Sequence, residues 1–326
     1  MTTPGSLGDF CHYALDYEEG RDAGDPVRLG AIFREYAGVQ RTPSLARTIN
    51  VVRSLGIKIE AAEYLKTGGT NIMAKGYWHF HFSASDRPAT QKFTIFHELF
   101  EVIHKSLHSS DPGYALLREP HLSRYADRFA ASALIPPRFF LSQVSATGCD
   151  LVKLGEDLEL SHQCLLIALG QHFADIPLVG VLYECRPEDT TNATTEIDDF
   201  VATVVVKTPR ARRITDLCGL QNVPTRKSHP QIGSLVCAAV TGGRPILWRS
   251  ARIEDSPVVM VRPLLSAGRE PYRIILLAIP NEESGMISLQ SDMIEPIPVD
   301  GDASCPSEKK CRNSHNCIWK STGGYL

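Results

Sequence analysis

The sequence has no long apolar segment, no strong net charge and no internal repeat. Its apolar runs all stop short of about 18 residues, and no positively charged segment followed by an apolar stretch stands at the start, so neither a membrane span nor a secretion signal is predicted. The formal net charge of -3 gives no global attraction to nucleic acid, so such a site would have to be a local patch. We therefore expect a cytoplasmic protein with no membrane partner.

Nine cysteines are present, and their distribution argues against a disulfide framework. Six are scattered, mostly within apolar runs where a free cysteine behaves as a small hydrophobe: Cys11, Cys149, Cys164, Cys185, Cys218 and Cys237. The other three, Cys305, Cys311 and Cys317, lie in a polar tail with His315 among them. A reduced protein whose tail holds a zinc ion or part of an iron–sulfur cluster fits this pattern. A tail of exposed thiols is the alternative.

The chain is long enough for two or three domains. Apolar periodicity and turn residues predict an α+β protein in which helices and a small sheet come first and a mostly antiparallel β domain follows. The first residues are polar and rich in Gly and Asp, which is typical of a flexible arm. The predicted segments are 1–25 (arm), 26–148 (helical domain with a small sheet), 149–175 (helix pair), 176–300 (β domain) and 301–326 (tail).

The segment KFTIFHELFEVIH, residues 92–104, has the clearest chemical pattern. Residues four apart on a helix share a face and can bind one zinc ion, and the residue after the first ligand can take a proton from metal-bound water. His97 and Glu101 occupy the two ligand positions, with Glu101 where a second histidine is usual. Glu98 is then the candidate general base. The alternative is a solvated polar stripe on an amphipathic helix.

Together with ADRFAASALIPP at Ala126–Pro137, this segment resembles the two signatures of the ImmA/IrrE family. The resemblance implies a zincin-like metallopeptidase domain at 26–148, a helix-turn-helix-like segment at 149–175 and a GAF-like sensor domain at 176–300. It implies a zinc-dependent endopeptidase that cleaves a helix-turn-helix repressor upon a stress signal such as DNA damage or single-stranded DNA, releasing stress or phage-defence genes. A catalytically inactive regulator of the same fold, which binds a transcription factor or DNA, is the alternative.

Two positions depart from that family's metal-ligand pattern. Glu101 replaces the second histidine, and Ser123 stands where the resemblance implies a third, glutamate ligand. A metal site rebuilt with a substitute ligand, a metal-free fold and a different ligand set are three open alternatives. Three nearby side chains are candidate substitutes for the third ligand: His104, Glu119 and His121.

The helix pair and the β domain each offer a candidate nucleic-acid surface. In the pair, the second helix carries His162, Gln163 and Gln171, but the acidic Glu156 and Asp157 nearby would repel phosphate, so we favour packing support over DNA recognition. In the β domain, six basic residues lie against a single acidic one and could track a nucleic-acid backbone or bind another anionic effector. They are Lys207, Arg210, Arg212, Arg213, Arg226 and Lys227. A solvated loop is the alternative reading of these charges.

Overall fold

The structure is a computed structural model that describes residues 5–17, 24–114, 117–118, 121–147, 149–185, 200–211, 225–229, 239, 245–248, 258–265, 271–279 and 295–296. The described chain forms two compact units. The first takes in the described residues of 1–144 and 150–168, and the second those of 145–149 and 169–326. Eight helices and two sheets within these residues confirm the predicted α+β class.

Helices dominate the chain up to residue 172. The elements in order are α1 (Leu7–Asp16), α2 (Pro26–Tyr36), α3 (Leu45–Ser54), β1 (Lys58–Ala62), β2 (Gly69–Ala74), β3 (Tyr77–Ser83), α4 (Pro88–Ser110), α5 (His121–Leu134), α6 (Pro137–Thr147), α7 (Leu151–Leu158) and α8 (His162–His172). The starts of α1, α2, α3 and α7 are each capped by a Ser or Asp side chain that accepts a backbone N–H bond, which satisfies donors that the helix itself leaves free. No described helix has the length and apolarity needed to cross a bilayer.

The three-stranded sheet of the first unit has the order β1-β3-β2, with β1 parallel and β2 antiparallel to β3. Because side chains alternate along a strand, Ile59, Phe80 and Phe82 share one face of this sheet, and all three are buried. Helix α4 contacts β2 and β3 and also packs against α1, α3 and α5. The longest helix therefore lies at the centre of the unit and is enclosed by several elements.

Part of the predicted flexible arm is a packed helix, so the prediction for residues 1–25 is wrong over α1. Ser6 and Asp9 form a capping box that starts the helix, and Phe10 has none of its surface exposed. The Phe10 ring contacts Phe33 and Tyr36 of α2, with centroids 5.3 Å apart in both pairs. The polar composition of the segment concealed this short apolar face.

The predicted helix pair corresponds to α7 and α8. Glu159 joins them in the left-handed conformation, with a φ of 49°. None of the residues 162–172 in α8 is exposed. A recognition helix needs an exposed face to enter a DNA groove, so the burial of α8 is consistent with packing support.

The second unit contains a six-stranded sheet of order β5-β4-β8-β7-β6-β9. Its strands are β4 (Val179–Cys185), β5 (Phe200–Lys207), β6 (Ile246–Trp248), β7 (Val258–Leu265), β8 (Pro271–Ile279) and β9 (Glu295–Pro296). All neighbouring pairs are antiparallel except β6 with β9. One core cluster of this unit includes Tyr183, Phe200 and Ile274, in agreement with the predicted mostly antiparallel sheet.

The burial of α1 leads to a stability prediction. We expect Phe10→Ala to lower the free energy of unfolding by about 3–5 kcal/mol, because a buried aromatic ring is lost and a cavity remains. The matched control is His12→Ala on the same helix, where the side chain is exposed, and it should stay within about 0.5 kcal/mol of wild type. Urea denaturation measures both, and equal, small effects would show that α1 is not part of the core.

Candidate functional site

His97, Glu98 and Glu101 lie in the middle of α4, where they contact side chains of β2 and α5. Glu98 is 9% exposed, and the side chains of His97 and Glu101 are 20% and 19% exposed. Four residues of helix place His97 and Glu101 on one face, where His97 Nε2 and Glu101 Oε1 are 3.9 Å apart. The predicted pair of ligand positions is therefore brought together at a half-buried surface of the helix.

Asp127 of α5 orients the His97 ring. The distance from His97 Nδ1 to Asp127 Oδ1 is 2.9 Å, so Nδ1–H donates to the carboxylate and Nε2 faces Glu101. Burial by itself would lower the pKa of His97, but the hydrogen bond and charge of Asp127, with the charges of Glu98 and Glu101, raise that pKa overall. The site therefore favours the protonated imidazole more than water does.

The Glu98 carboxylate is held from the sheet side by Asn71 of β2. Asn71 Nδ2 donates to Glu98 Oε2 at 2.6 Å and to Glu101 Oε2 at 3.0 Å. Burial raises the pKa of Glu98, and the Glu101 charge adds to this, whereas the Asn71 hydrogen bond and the charges of His97 and Lys105 oppose it. The net effect is a raised pKa, so Glu98 keeps its proton to a higher pH than a carboxyl group in water does.

Lys105, one turn beyond Glu101 on α4, completes the network. Its Nζ donates to Asn71 Oδ1 at 3.4 Å and lies 3.9 Å from Glu101 Oε2. The same ammonium group lies over the Trp78 ring, 5.5 Å from the centroid. The Lys105 ammonium therefore contacts both the Asn71 amide and the Glu101 carboxylate.

The donor set falls short of a catalytic zinc site. Such a site takes three protein ligands, whereas His97 Nε2 and Glu101 Oε1 supply two, and Ser123 at the third position has no carboxylate or imidazole. Across the described ranges, no three or more His, Cys, Asp or Glu side chains are grouped so as to hold a metal ion. These residues do not fit the predicted zinc ion, which is not confirmed.

Two of the three candidate substitute ligands, His104 and His121, lie within the described residues. His104 is buried, its ring lies between Phe100 and Tyr114, and its Nε2 accepts a bond from the Leu117 N–H at 3.3 Å. Burial, with the charges of His108 and Lys105, lowers the pKa of His104. His121 is exposed at the start of α5, and Glu119 lies outside the described residues. The proposed substitutions at the third position remain predictions.

The described part of the basic cluster is divided between two places in the second unit. Lys207 is the last residue of β5 and Arg210 follows it closely, and both are exposed. Lys227 is near the other end of that strand, because its N–H donates to the Ala202 carbonyl at 2.7 Å. The five residue-to-residue steps of strand from Ala202 to Lys207 span about 16 Å. Arg226 lies beside Lys227 and is exposed, so these four cations do not form one continuous patch.

The remaining predicted site residues cannot be placed. Arg212 and Arg213 of the basic cluster, and Cys305, Cys311 and Cys317 of the tail, lie outside the described residues. Their predicted roles in binding nucleic acid, zinc or an iron–sulfur cluster stay predictions.

Comparisons with known proteins bear on the first unit most directly. Residues 54–169 match the IrrE N-terminal-like domain family. Among solved structures, a Mycobacterium tuberculosis transcriptional regulator is similar in fold, with a TM-score of 0.56 and 12% sequence identity. That similarity covers 89% of this chain and 88% of the other. A search of the curated proteins found no match.

The raised pKa of Glu98 predicts a pH-dependent effect of Glu98→Gln. A carboxyl group whose pKa is raised in the folded state stabilises the fold below its ordinary pKa and loses that contribution as pH rises through the raised value. Glutamine does not ionise and can still accept the Asn71 bond. The melting temperature of Glu98→Gln minus that of wild type should therefore increase between about pH 4 and pH 8.

Glu60→Gln is the matched control for this comparison, because Glu60 is exposed on β1. Its melting-temperature difference from wild type should vary little over the same pH series. A difference for Glu98→Gln that stays flat or decreases with pH would contradict the assigned environment of Glu98.

Proposed function

We propose that this chain, whose residues 54–169 match the IrrE N-terminal-like domain family, is a transcription regulator in which that domain binds a partner protein without using a metal ion. One observation carries the proposal. Glu101, at the second ligand position, is bonded to Asn71, and the third position is Ser123. The domain thus keeps His97 and Glu98 of the family's motif without three metal ligands.

The role in transcription is supported by the similarity in fold to a protein named as a transcriptional regulator. The partner that we propose is a helix-turn-helix transcription factor, the class that the family resemblance implies. Such a partner could be held on the zincin-like domain and released when a signal is received. This arrangement does not require the partner to be cleaved.

We propose that the second unit receives the signal, as a GAF-like sensor domain would. Its sheet has a buried core formed by residues of that unit. Single-stranded DNA is the candidate signal that the basic residues suggest. Of these, Lys207 at the end of β5 and Arg210 three residues later are both exposed. They are therefore the first pair to test for anion binding.

A metal-dependent endopeptidase that cleaves the repressor is the second candidate function. The observation that favours it is Glu98, a buried carboxyl group with a raised pKa directly after His97. These are the properties of a general base. This candidate requires a metal ion and a third ligand that the described residues do not provide.

Glu98→Gln separates the two candidate functions. A host strain that lacks the gene is complemented with wild-type protein or with Glu98→Gln, and the transcripts that depend on the gene are quantified. We expect Glu98→Gln to restore wild-type transcript levels, because a neutral isostere keeps the hydrogen bond to Asn71 and the shape of the site. A general base would not tolerate this change.

Glu60→Gln serves as the control for expression and folding in the same strain. In parallel, immunoblotting follows the size of the partner transcription factor before and after DNA damage. Loss of regulation by Glu98→Gln alone, together with partner cleavage that only the wild type supports, would overturn the binding proposal and favour the peptidase.

A further inference from the structure

Asn71 occupies a position that the sequence motifs do not mark. It lies in the middle of β2, opposite Phe80 of β3, and β2 is at the edge of the three-stranded sheet. Its amide nevertheless reaches across to α4 and contacts both carboxylates of the HELFE segment. The two carboxylates are therefore joined through a residue of another element.

Gly69 allows this approach of β2 to α4. A Cβ atom at Gly69 would lie 2.5 Å from Thr94 Cγ2 and 3.2 Å from Glu98 Cγ, both of which are closer than ordinary van der Waals contact. The strand and the helix thus meet without a side chain between them at residue 69. Two residues later on the same face, Asn71 is close enough to bond Glu98 and Glu101.

The chemistry of the amide matches this role. An asparagine NH₂ group has two donors and its carbonyl oxygen is an acceptor. The donors serve one oxygen of Glu98 and one of Glu101, and the carbonyl accepts from Lys105. All parts of the amide are used, and the Lys105 ammonium offsets part of the negative charge.

We infer that Asn71 is the positioning residue of this site: with Lys105, it holds Glu98 and Glu101 side by side and anchors β2 to α4, so that the carboxylate pair is formed without a metal ion. Asn71 acts through its N–H donors and not through the volume of its side chain. The inference does not depend on which proposed function is correct, because it rests on the contacts of Asn71 with Glu98, Glu101 and Lys105.

The donor role and a packing role predict opposite orders of stability for two substitutions. Asn71→Asp keeps the shape, but an ionised aspartate cannot donate and adds a third negative charge. Asn71→Ala removes the shape and adds no charge. At neutral pH we expect Asn71→Ala to reduce the folding equilibrium constant about tenfold, because two partly buried acceptors lose a donor, and Asn71→Asp to reduce it further. Urea denaturation measures both.

A double substitution supplies the control. In a Glu98→Ala, Glu101→Ala background the acceptors are absent, so Asn71→Ala should change the folding equilibrium constant by less than about threefold. Lys105→Met removes the ammonium, including its contact with the Trp78 ring, and it should be more destabilising when the two glutamates are present than when they are absent. If Asn71→Asp is as stable as wild type, or if Asn71→Ala has the same effect in both backgrounds, Asn71 serves packing alone and the inference fails.

Should Asn71→Asp fail to fold at neutral pH, the same comparison is made below about pH 4, where carboxyl groups are largely protonated. Recovery of the fold there supports the inference, since the excess charge is then removed. Failure to fold at both pH values, with Asn71→Ala folded, would mean that charge is not the cause and would overturn it.

Discussion

Helix α4 presents two carboxylates on a surface where water reaches them only in part. A charge in such a place is destabilising unless other groups offset its lost hydration. Glu98 and Glu101 obtain those groups from both sides, since Asn71 comes from β2 and Lys105 from the next turn of α4. Because Asn71 must reach both carboxylates to donate its hydrogen bonds, β2 has to lie close to α4.

Other charged side chains with little exposure to water also link α4 to other parts of the first unit. Lys92, the basic residue that opens the KFTIF run, is 1% exposed. Its ammonium donates to the Pro43 carbonyl just before α3 at 3.1 Å and lies 3.7 Å from the Glu159 carboxylate in the turn between α7 and α8. Asp127, in the second signature segment, orients His97. Residues of both signatures thus stabilise the arrangement of helices in the first unit.

Strong periodicity and capping made much of the fold predictable. The apolar spacing of residues 26–36 predicts a helix with the observed bounds of α2, and that of residues 44–55 predicts a helix that extends α3 by one residue at each end. Strand β2 was not predicted, because GTNIMA lacks clear alternation and leaves Ile72 and Met73 half exposed at an edge. Helix α6 was also missed, because Pro137 ends one helix in the sequence and is also favourable at the first position of the next.

The candidate site was predictable only where it lies within one helix. His97, Glu98 and Glu101 follow from helical spacing, whereas Asn71 comes from the strand that was not predicted. Asp127 was visible in the second signature, but its hydrogen bond to His97 depends on how α4 and α5 pack. Interactions between elements are set by tertiary structure, and a local pattern does not reveal them.

The metal content of the purified chain tests the central claim most directly. The tail cysteines could bind metal independently, so the measurement is made on protein carrying Cys305→Ser, Cys311→Ser and Cys317→Ser, after exposure to excess zinc and dialysis. We expect far less than one zinc ion per chain, because His97 and Glu101 supply two of the three protein ligands that a catalytic zinc site needs. About one zinc ion per chain, lost upon His97→Ala, would contradict a metal-independent site.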